Sequence, residues 1–475
     1  MKKIRFMLSF IFWALAFAVV FSCTAQAQTV SWEEESLLSP VNASGYPRLA
    51  MLEDGTLLLT SEGLLCKSSD GGENWVRENP KLMGVSASVV SKNGITHLLS
   101  RENWQLFVLS DDRIMLAYRA RTASYKADVK SYTKGEFYTS IRVIYSSDGA
   151  KTFGNEEILV ENTANAFNGY WEPFIIQIDE RTLALYYAND LDGITSGAQQ
   201  NICYVTYDLE TETWDKTPRV AIDGISRNSR DGMPVVARLS DGSFAMVFEA
   251  FDYNQRAYGG VYGKSGFVVS LSRSADGKNW STPVPIAAPE NITAGYTCAA
   301  PYITTLGDGR VSVSYMCNED YIGIPSEDSV QNSNMDVIVS KKPMTLDSVI
   351  VATSGGASPS FEKAENPITQ VRNGFQIWCC LAYLDGRLYA ACSSGTNDGS
   401  ESAKLKLRRA DLRSATTFDL NWDGKINFAD VCFELWSVTS QPELSEAYHL
   451  DFNRDGTLSA ADVLLVLRQV LLRIK

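Results

Sequence analysis

One phrase recurs six times through the middle of the chain, and it restricts the fold more than any other feature. A Pro or an aromatic residue opens an apolar strand, an Asp-Gly or equivalent pair makes a turn, and a second apolar strand follows. The copies run from Pro47 to Leu59 around Asp54-Gly55, and from Leu106 to Tyr118 around Asp111-Asp112. They continue from Pro173 to Tyr186 around Asp179-Glu180, and from Pro234 to Phe248 around Asp241-Gly242. The last two run from Pro301 to Tyr315 around Asp308-Gly309 and from Phe375 to Ala391 around Asp385-Gly386. Alternating side chains joined by such turns predict antiparallel hairpins. Six hairpins, each extended by two further strands, predict an all-β six-bladed β-propeller.

A second motif bears on the same prediction. Ser68-Ser69-Asp70-Gly71-Gly72-Glu73-Asn74-Trp75 reads S-x-D-x-G-x-x-W, the Asp-box pattern. Ser146 to Phe153 is a degenerate copy, and Ser274 to Trp280 is one residue shorter. In such a turn the Asp side chain can accept backbone amides while the aromatic residue packs between sheets. These segments therefore read as hairpin staples without a catalytic role. They resemble the Asp-boxes of sialidase-like propellers.

Both ends of the chain point outside the cell. Lys2, Lys3 and Arg5 precede an apolar run through Phe21, and Ala25-Gln26-Ala27 precedes Gln28, which predicts a secretory signal over residues 1–27 cleaved after Ala27. Val20-Phe21-Ser22-Cys23 is a weaker, lipobox-like alternative. No later segment has the length and apolarity of a membrane span. The propeller is assigned to residues 28–412, and residues 413–475 form a separate C-terminal module. A formal net charge of −13 disfavours nucleic acid as a partner. The nine cysteines show no metal-ligand spacing and read mostly as small buried residues, so no disulfide framework is predicted. With only His97 and His449 present, a Ser-His-Asp relay or a His-rich zinc site is nearly excluded.

The C-terminal module is defined by two acidic loops. Asp419, Asn421, Asp423 and Asp430 occupy positions 1, 3, 5 and 12 of the first, with Gly424 at position 6 and Lys425 at position 7. Asp451, Asn453, Asp455 and Asp462 repeat the pattern, with Gly456 and Thr457 between. Oxygen ligands at these positions, with a Gly at the sharp bend and the position-7 carbonyl, suit one Ca2+ per loop. Each loop runs into apolar residues at helical spacing, namely Val431, Leu435 and Val438, then Val463, Val466, Leu467 and Val470. The pair resembles a dockerin, the module that plugs a secreted enzyme into a cohesin on a scaffolding protein. That resemblance implies two Ca2+ ions, a cohesin partner and an extracellular, scaffold-attached protein that is otherwise monomeric. A pair of calcium loops that only stabilises the C-terminus is the alternative.

In a propeller the innermost strands converge on one mouth of a central channel, so residues distant in sequence meet there. Glu172, in Tyr170-Trp171-Glu172-Pro173-Phe174, and Glu249, in Val247-Phe248-Glu249-Ala250-Phe251, are charges embedded in apolar strands. Burial of a lone carboxylate is costly and raises its pKa, as a general acid requires. These phrases, with Arg230-Asp231-Gly232-Met233-Pro234, resemble the exo-arabinanase family, glycoside hydrolase family 93. The resemblance implies cleavage of α-1,5-linked arabinan from the non-reducing end, with release of arabinobiose and retention of configuration, and with Glu172 and Glu249 as the catalytic pair. The more apolar flanks of Glu249 suggest it as acid/base and Glu172 as nucleophile, though the sequence also allows the reverse. Arg48, Arg119, Arg230 and Asp231 are candidates for substrate binding, and Tyr170 and Trp171 for stacking on a sugar face. No cofactor is implied for the reaction.

Two other readings share the fold. A sialidase needs three arginines and a Tyr nucleophile, and its first arginine typically precedes a hydrophobic residue and a Pro; here Tyr46-Pro47-Arg48-Leu49 puts the Pro first. A non-catalytic carbohydrate-binding propeller is the third.

Overall fold

The computed structural model describes residues 30, 32–33, 36–37, 45–90, 94, 96–122, 138–162, 169–190, 199–252, 266–292, 296–323, 332–353 and 355–411, with eight further residues beyond 430. The described strands form six sheets, one per blade of a propeller. Blade 1 contains Arg48–Met51, Leu57–Ser61, Leu64–Ser68 and Val76–Glu78, and blade 2 is built on Thr96–Val108, Ile114–Thr122, Thr139–Ser146 and Thr152–Glu161. Blade 3 contains Tyr170–Gln177, Thr182–Asn189, Asn201–Asp208 and Thr213–Ile222. In blade 4, Ser229–Arg238, Phe244–Asp252, Val268–Ser274 and Val284–Ala288 are joined at the edge by Gly356–Ala357. Blade 5 has Cys298–Thr305, Val311–Cys317, Asn334–Ser340 and Phe361–Lys363. Blade 6 has Gly374–Leu384, Arg387–Thr396 and Lys404–Asp411, and its fourth strand is Ser36–Leu37.

That last pairing closes the ring. Ser36 lies opposite Leu407 and Leu37 opposite Lys406, so the two ends of the propeller share one sheet. Trp32, just upstream, is buried and donates its indole N–H to the Glu365 carbonyl at 3.1 Å. The first strands of successive blades pack against one another around the ring, blade 6 returning to blade 1.

All six phrases of the sequence fall on the first two strands of a blade. The turns behave as the residues demand. Gly242 and Gly309 adopt φ of 81° and 78°, and in blade 2, which lacks the Gly, Asp112 takes the left-handed conformation at 61°. The three Ser-x-Asp segments lie between the third and fourth strands, away from the axis. Asp70 Oδ1 accepts the amides of Glu73 and Asn74 at 3.1 and 2.9 Å, and Asp148 and Asp276 accept the equivalent pairs. The Asn74 amide, foremost, holds the Asp70 carboxyl down to about 2. Trp280 meets Tyr186 of blade 3 edge-on at 5.8 Å, so the aromatic end of its turn packs between blades.

The Pro that opens the phrase has a consequence in the innermost strand. Pro offers no N–H to a ladder, and a strand accommodates it at a bulge. Blades 2 to 6 each shift register in their first strand, at Glu102/Gln105, Trp171/Phe174, Gly232/Val235, Ala299/Tyr302 and Ile377/Cys380. Each shift contains one residue of positive φ: Asn103 (54°), Glu172 (37°), Met233 (54°), Ala300 (48°) and Trp378 (59°). Pro follows directly in blades 3, 4 and 5, and Tyr46-Pro47 occupies the matching place in blade 1. Bulges re-aim side chains, and here they form a ring around one end of the channel.

Cys66, Cys203, Cys298, Cys317, Cys379, Cys380 and Cys392 are buried thiols. Beyond the propeller, Val431, Cys432, Leu435, Ala460, Val463, Leu464, Val466 and Leu467 are helical, in keeping with the apolar spacing there. The ten predicted calcium-loop residues lie outside the described residues, as does the predicted signal. No helix among the described residues is long and apolar enough to cross a membrane.

Candidate active site

A cavity of about 760 Å³ opens at the bulge ring, and all six blades contribute to its wall. Glu172 and Glu249 both line it. Glu172 is the bulge residue of blade 3, and its left-handed backbone carries the side chain out of the alternation that would otherwise bury it between blades. Glu249 belongs to the second strand of blade 4 and lies opposite Gly232. A Cβ on Gly232 would sit 3.4 Å from Glu249 Oε1, so the missing side chain leaves room for the carboxylate.

The two carboxyls are held differently. Glu249 Oε1 accepts from Arg230 Nη1 at 3.2 Å, and Oε2 accepts the backbone N–H of Ala300 at 3.1 Å. A guanidinium and an amide are donors matched to a carboxylate. Glu172 has a partly exposed edge on the cavity, yet protein encloses it on the other sides. That loss of solvent pushes its carboxyl up to about 7, with Arg119 working against the rise and the charge of Glu249 adding to it. Phe248 and Ala250, the apolar flanks of Glu249, are buried. Side chains alternate along a strand, so these flanks face away from the Glu249 carboxyl. These flanks therefore do not bear on the Glu249 carboxyl, and burial raises the proton affinity of Glu172.

The other expected residues divide into two sets. Arg119, Trp171 and Arg230 line the cavity. Arg119 lies over the Trp171 ring, 4.1 Å from its centroid, and the indole N–H donates to Asp190 Oδ2 at 2.6 Å. Arg48, Tyr170 and Asp231 are not on the wall. Arg48 lies against the rings of Tyr46 and Tyr302, at 5.3 and 5.0 Å, and donates to the Pro47 carbonyl at 2.7 Å. Tyr170 packs edge-on against Tyr187 at 5.5 Å in the core between blades. Asp231 is fully buried on the reverse face of its strand, paired with Arg227 and accepting from Ser229 Oγ at 2.7 Å. Burial raises the Asp231 carboxyl to about 6 against the pull of Arg227. For Tyr170 beside Trp171 and Asp231 beside Arg230, a shift of one residue separates the two faces of a strand.

Sequence reasoning missed Tyr46, Glu62, Glu102, Arg121 and Trp378. Arg119 and Arg121 both bind Glu102, the latter at 2.8 Å. Burial alone would raise Glu102, but the Arg121 hydrogen bonds and the two positive charges bring it down to about 2. Tyr46 and Trp378 stack at 4.4 Å with 18° between their planes. Aligning the residue before each Pro would have placed Tyr46, Met233 and Ala300 beside Glu172, but not Asn103 or Trp378, which no Pro follows. No group of three or more His, Cys, Asp or Glu suited to a metal occurs among the described residues.

No family model matches this chain, and no curated protein does. Solved structures do. An α-L-arabinanase of Penicillium chrysogenum complexed with arabinobiose superposes with a TM-score of 0.54 at 16% identity, over 81% of this chain and 99% of that one. A glycoside hydrolase family 93 α-L-arabinofuranosidase of Fusarium graminearum, also with arabinobiose, gives 0.52 at 16% over 81% and 99%. A Dyadobacter fermentans protein of unknown function gives 0.52 at 12% over 81% and 100%. These likenesses show the fold, a six-bladed β-propeller.

Proposed function

We propose that this protein is a retaining glycoside hydrolase acting on a neutral plant cell-wall glycan, with α-1,5-linked arabinan cleaved to arabinobiose from the non-reducing end as the favoured reaction. The observation that carries the reading is the unlike pair on one cavity. Glu172 keeps a proton towards neutral pH, while Glu249 is engaged by the Arg230 guanidinium and the Ala300 amide. A retaining displacement uses one carboxylate to attack the anomeric carbon and one carboxylic acid to protonate the departing oxygen, and the second then activates water. The Tyr46–Trp378 stack and the Trp171 ring give the cavity aromatic faces for a sugar. The arabinobiose held by two structures of the same fold supports the choice of glycan.

Charge pairing favours a neutral substrate over a sialic acid. Arg119 and Arg121 are bound to Glu102 and Arg230 to Glu249, so among the described residues each arginine on the cavity wall already pairs with a carboxylate. A substrate carboxylate would have to share these guanidinium groups with carboxylates already bound to them. Incubation with linear arabinan, branched arabinan and a sialyl-oligosaccharide, followed by product identification, tests the reading. Arabinobiose is the expected product. Free sialic acid would overturn the substrate, and no release from any polymer would favour a binding propeller. Both E172A and E249A should lose at least ~10²-fold in turnover, and the glycosyl azide formed on rescue by azide separates them, with retained configuration for the acid/base variant and inverted for the nucleophile variant.

Delivery is part of the proposal. The N-terminal signal and the loops at Asp419–Asp430 and Asp451–Asp462 support an exported protein whose dockerin binds two Ca2+ and a cohesin. Calorimetry should find two Ca2+ sites in the full chain and one in D423A or D455A. Unchanged stoichiometry in both variants would remove the loops as the sites.

A further inference from the structure

The first two strands of blade 5 place Cys298 directly opposite Cys317. Their Sγ atoms lie 3.5 Å apart, and the residues are 2% and 5% exposed. Residues directly opposite in an antiparallel pair have Cα atoms ~4.5–5.5 Å apart, within the ~4.4–6.8 Å that a disulfide spans. The register is therefore one that a disulfide can span from the two side chains.

We propose that Cys298 and Cys317 are joined by an intrachain disulfide in the protein folded under oxidising conditions. Two thiols give up two protons and two electrons, one S–S bond forms, and the disulfide of a dithiol or glutathione-type oxidant is reduced to two thiols. Timing follows from burial. The contact with Cys317 and the loss of solvent hold the Cys298 thiol well above its ordinary range, so little thiolate exists once the blade is packed. Oxidation therefore belongs to the stage at which the hairpin pairs and solvent still reaches it.

The position gives the bond a structural consequence. Thr297, Ala299 and Met316 line the cavity, and the bulge that begins at Ala299 presents the Ala300 amide to Glu249. A covalent tie one residue before that bulge fixes the pair of strands on which the amide depends. The expectation that the cysteines are mostly small buried residues with no disulfide framework does not cover two thiols placed in register.

The full chain is refolded from denaturant in a glutathione redox buffer, blocked with N-ethylmaleimide in denaturant and mapped by peptide mass before and after reduction. The expected result is a pair of peptides joined through Cys298 and Cys317 that separates on reduction and is absent from C298S and C317S. The oxidised protein should also unfold at a temperature several degrees above the reduced one, a difference lost in the C298S/C317S double variant. Alkylation of both cysteines in the refolded chain, or bonding of either to another cysteine, would overturn the proposal.

Discussion

Glu249 of blade 4 accepts the backbone N–H of Ala300 in blade 5 at 3.1 Å, so one of the two candidate catalytic carboxyls is held by a neighbouring blade. The donor is available because Ala300 sits at a bulge, with φ of 48°. A β-branched side chain tolerates that conformation poorly. Replacing Ala300 by Val should cost about 1–3 kcal/mol of stability and lower turnover through Glu249, whereas A300G should keep both. Denaturant unfolding and arabinan hydrolysis measure the two effects. Equal behaviour of A300V and A300G would mean that the bulge does not constrain the carboxyl.

Arg230 supplies the second grip on Glu249, at 3.2 Å, with both side chains largely withdrawn from solvent. R230M should leave the carboxylate with the amide alone, at a cost of roughly 1–3 kcal/mol for the unmatched group. Its kcat should fall by more than its KM rises, since the effect passes through Glu249. R230K should recover part of the loss. A change confined to KM would assign Arg230 to sugar binding only.

Glu172 links stability to pH. Its carboxyl is raised from an ordinary 4.5 to about 7, so folding favours the protonated form. The stability this gives is complete below about pH 4.5 and is lost as pH rises through about 7. E172Q removes the linkage. The variant should match the parent near pH 4 and exceed it at pH 8 by about 1–3 kcal/mol, as read from paired denaturant titrations. Asp231, raised to about 6, adds a slope of the same sign in both proteins and cancels in the comparison. A parent more stable than E172Q at pH 8 would contradict the burial argument.

Closure of the ring can be tested away from the cavity. Trp32 is 7% exposed and bonds the Glu365 carbonyl, just before the strand that completes blade 6. W32A should destabilise the propeller by ~3–5 kcal/mol, with its folded structure and substrate preference unchanged. Circular dichroism during denaturant unfolding gives the first quantity and product analysis the second. A loss below ~1 kcal/mol would mean that the ring closes without this anchor.

Period and turn chemistry made the six hairpins legible in the sequence, because alternation and Asp-Gly pairs act over a few neighbouring residues. Glu172 and Glu249 were legible for the same local reason, as charges where a strand should be apolar. Tyr170 and Asp231 were misplaced because a one-residue step decides which face a side chain takes, and Arg48 because the rings of Tyr46 and Tyr302 take it up. Glu102 gave no local sign at all. It stands in a polar stretch just before the second phrase, and the register of its own hairpin, with Glu102 opposite Arg119, brings Arg119 and Arg121 onto it.

By itself the sequence determined the repeating unit, its number and the two carboxyls that the cavity brings together. Tertiary structure decided what those carboxyls are. Enclosure by six blades raised Glu172, and a guanidinium of its own blade with an amide from the next engaged Glu249. Solvent exclusion and donor geometry depend on groups far apart in the chain, which no local pattern of residues encodes.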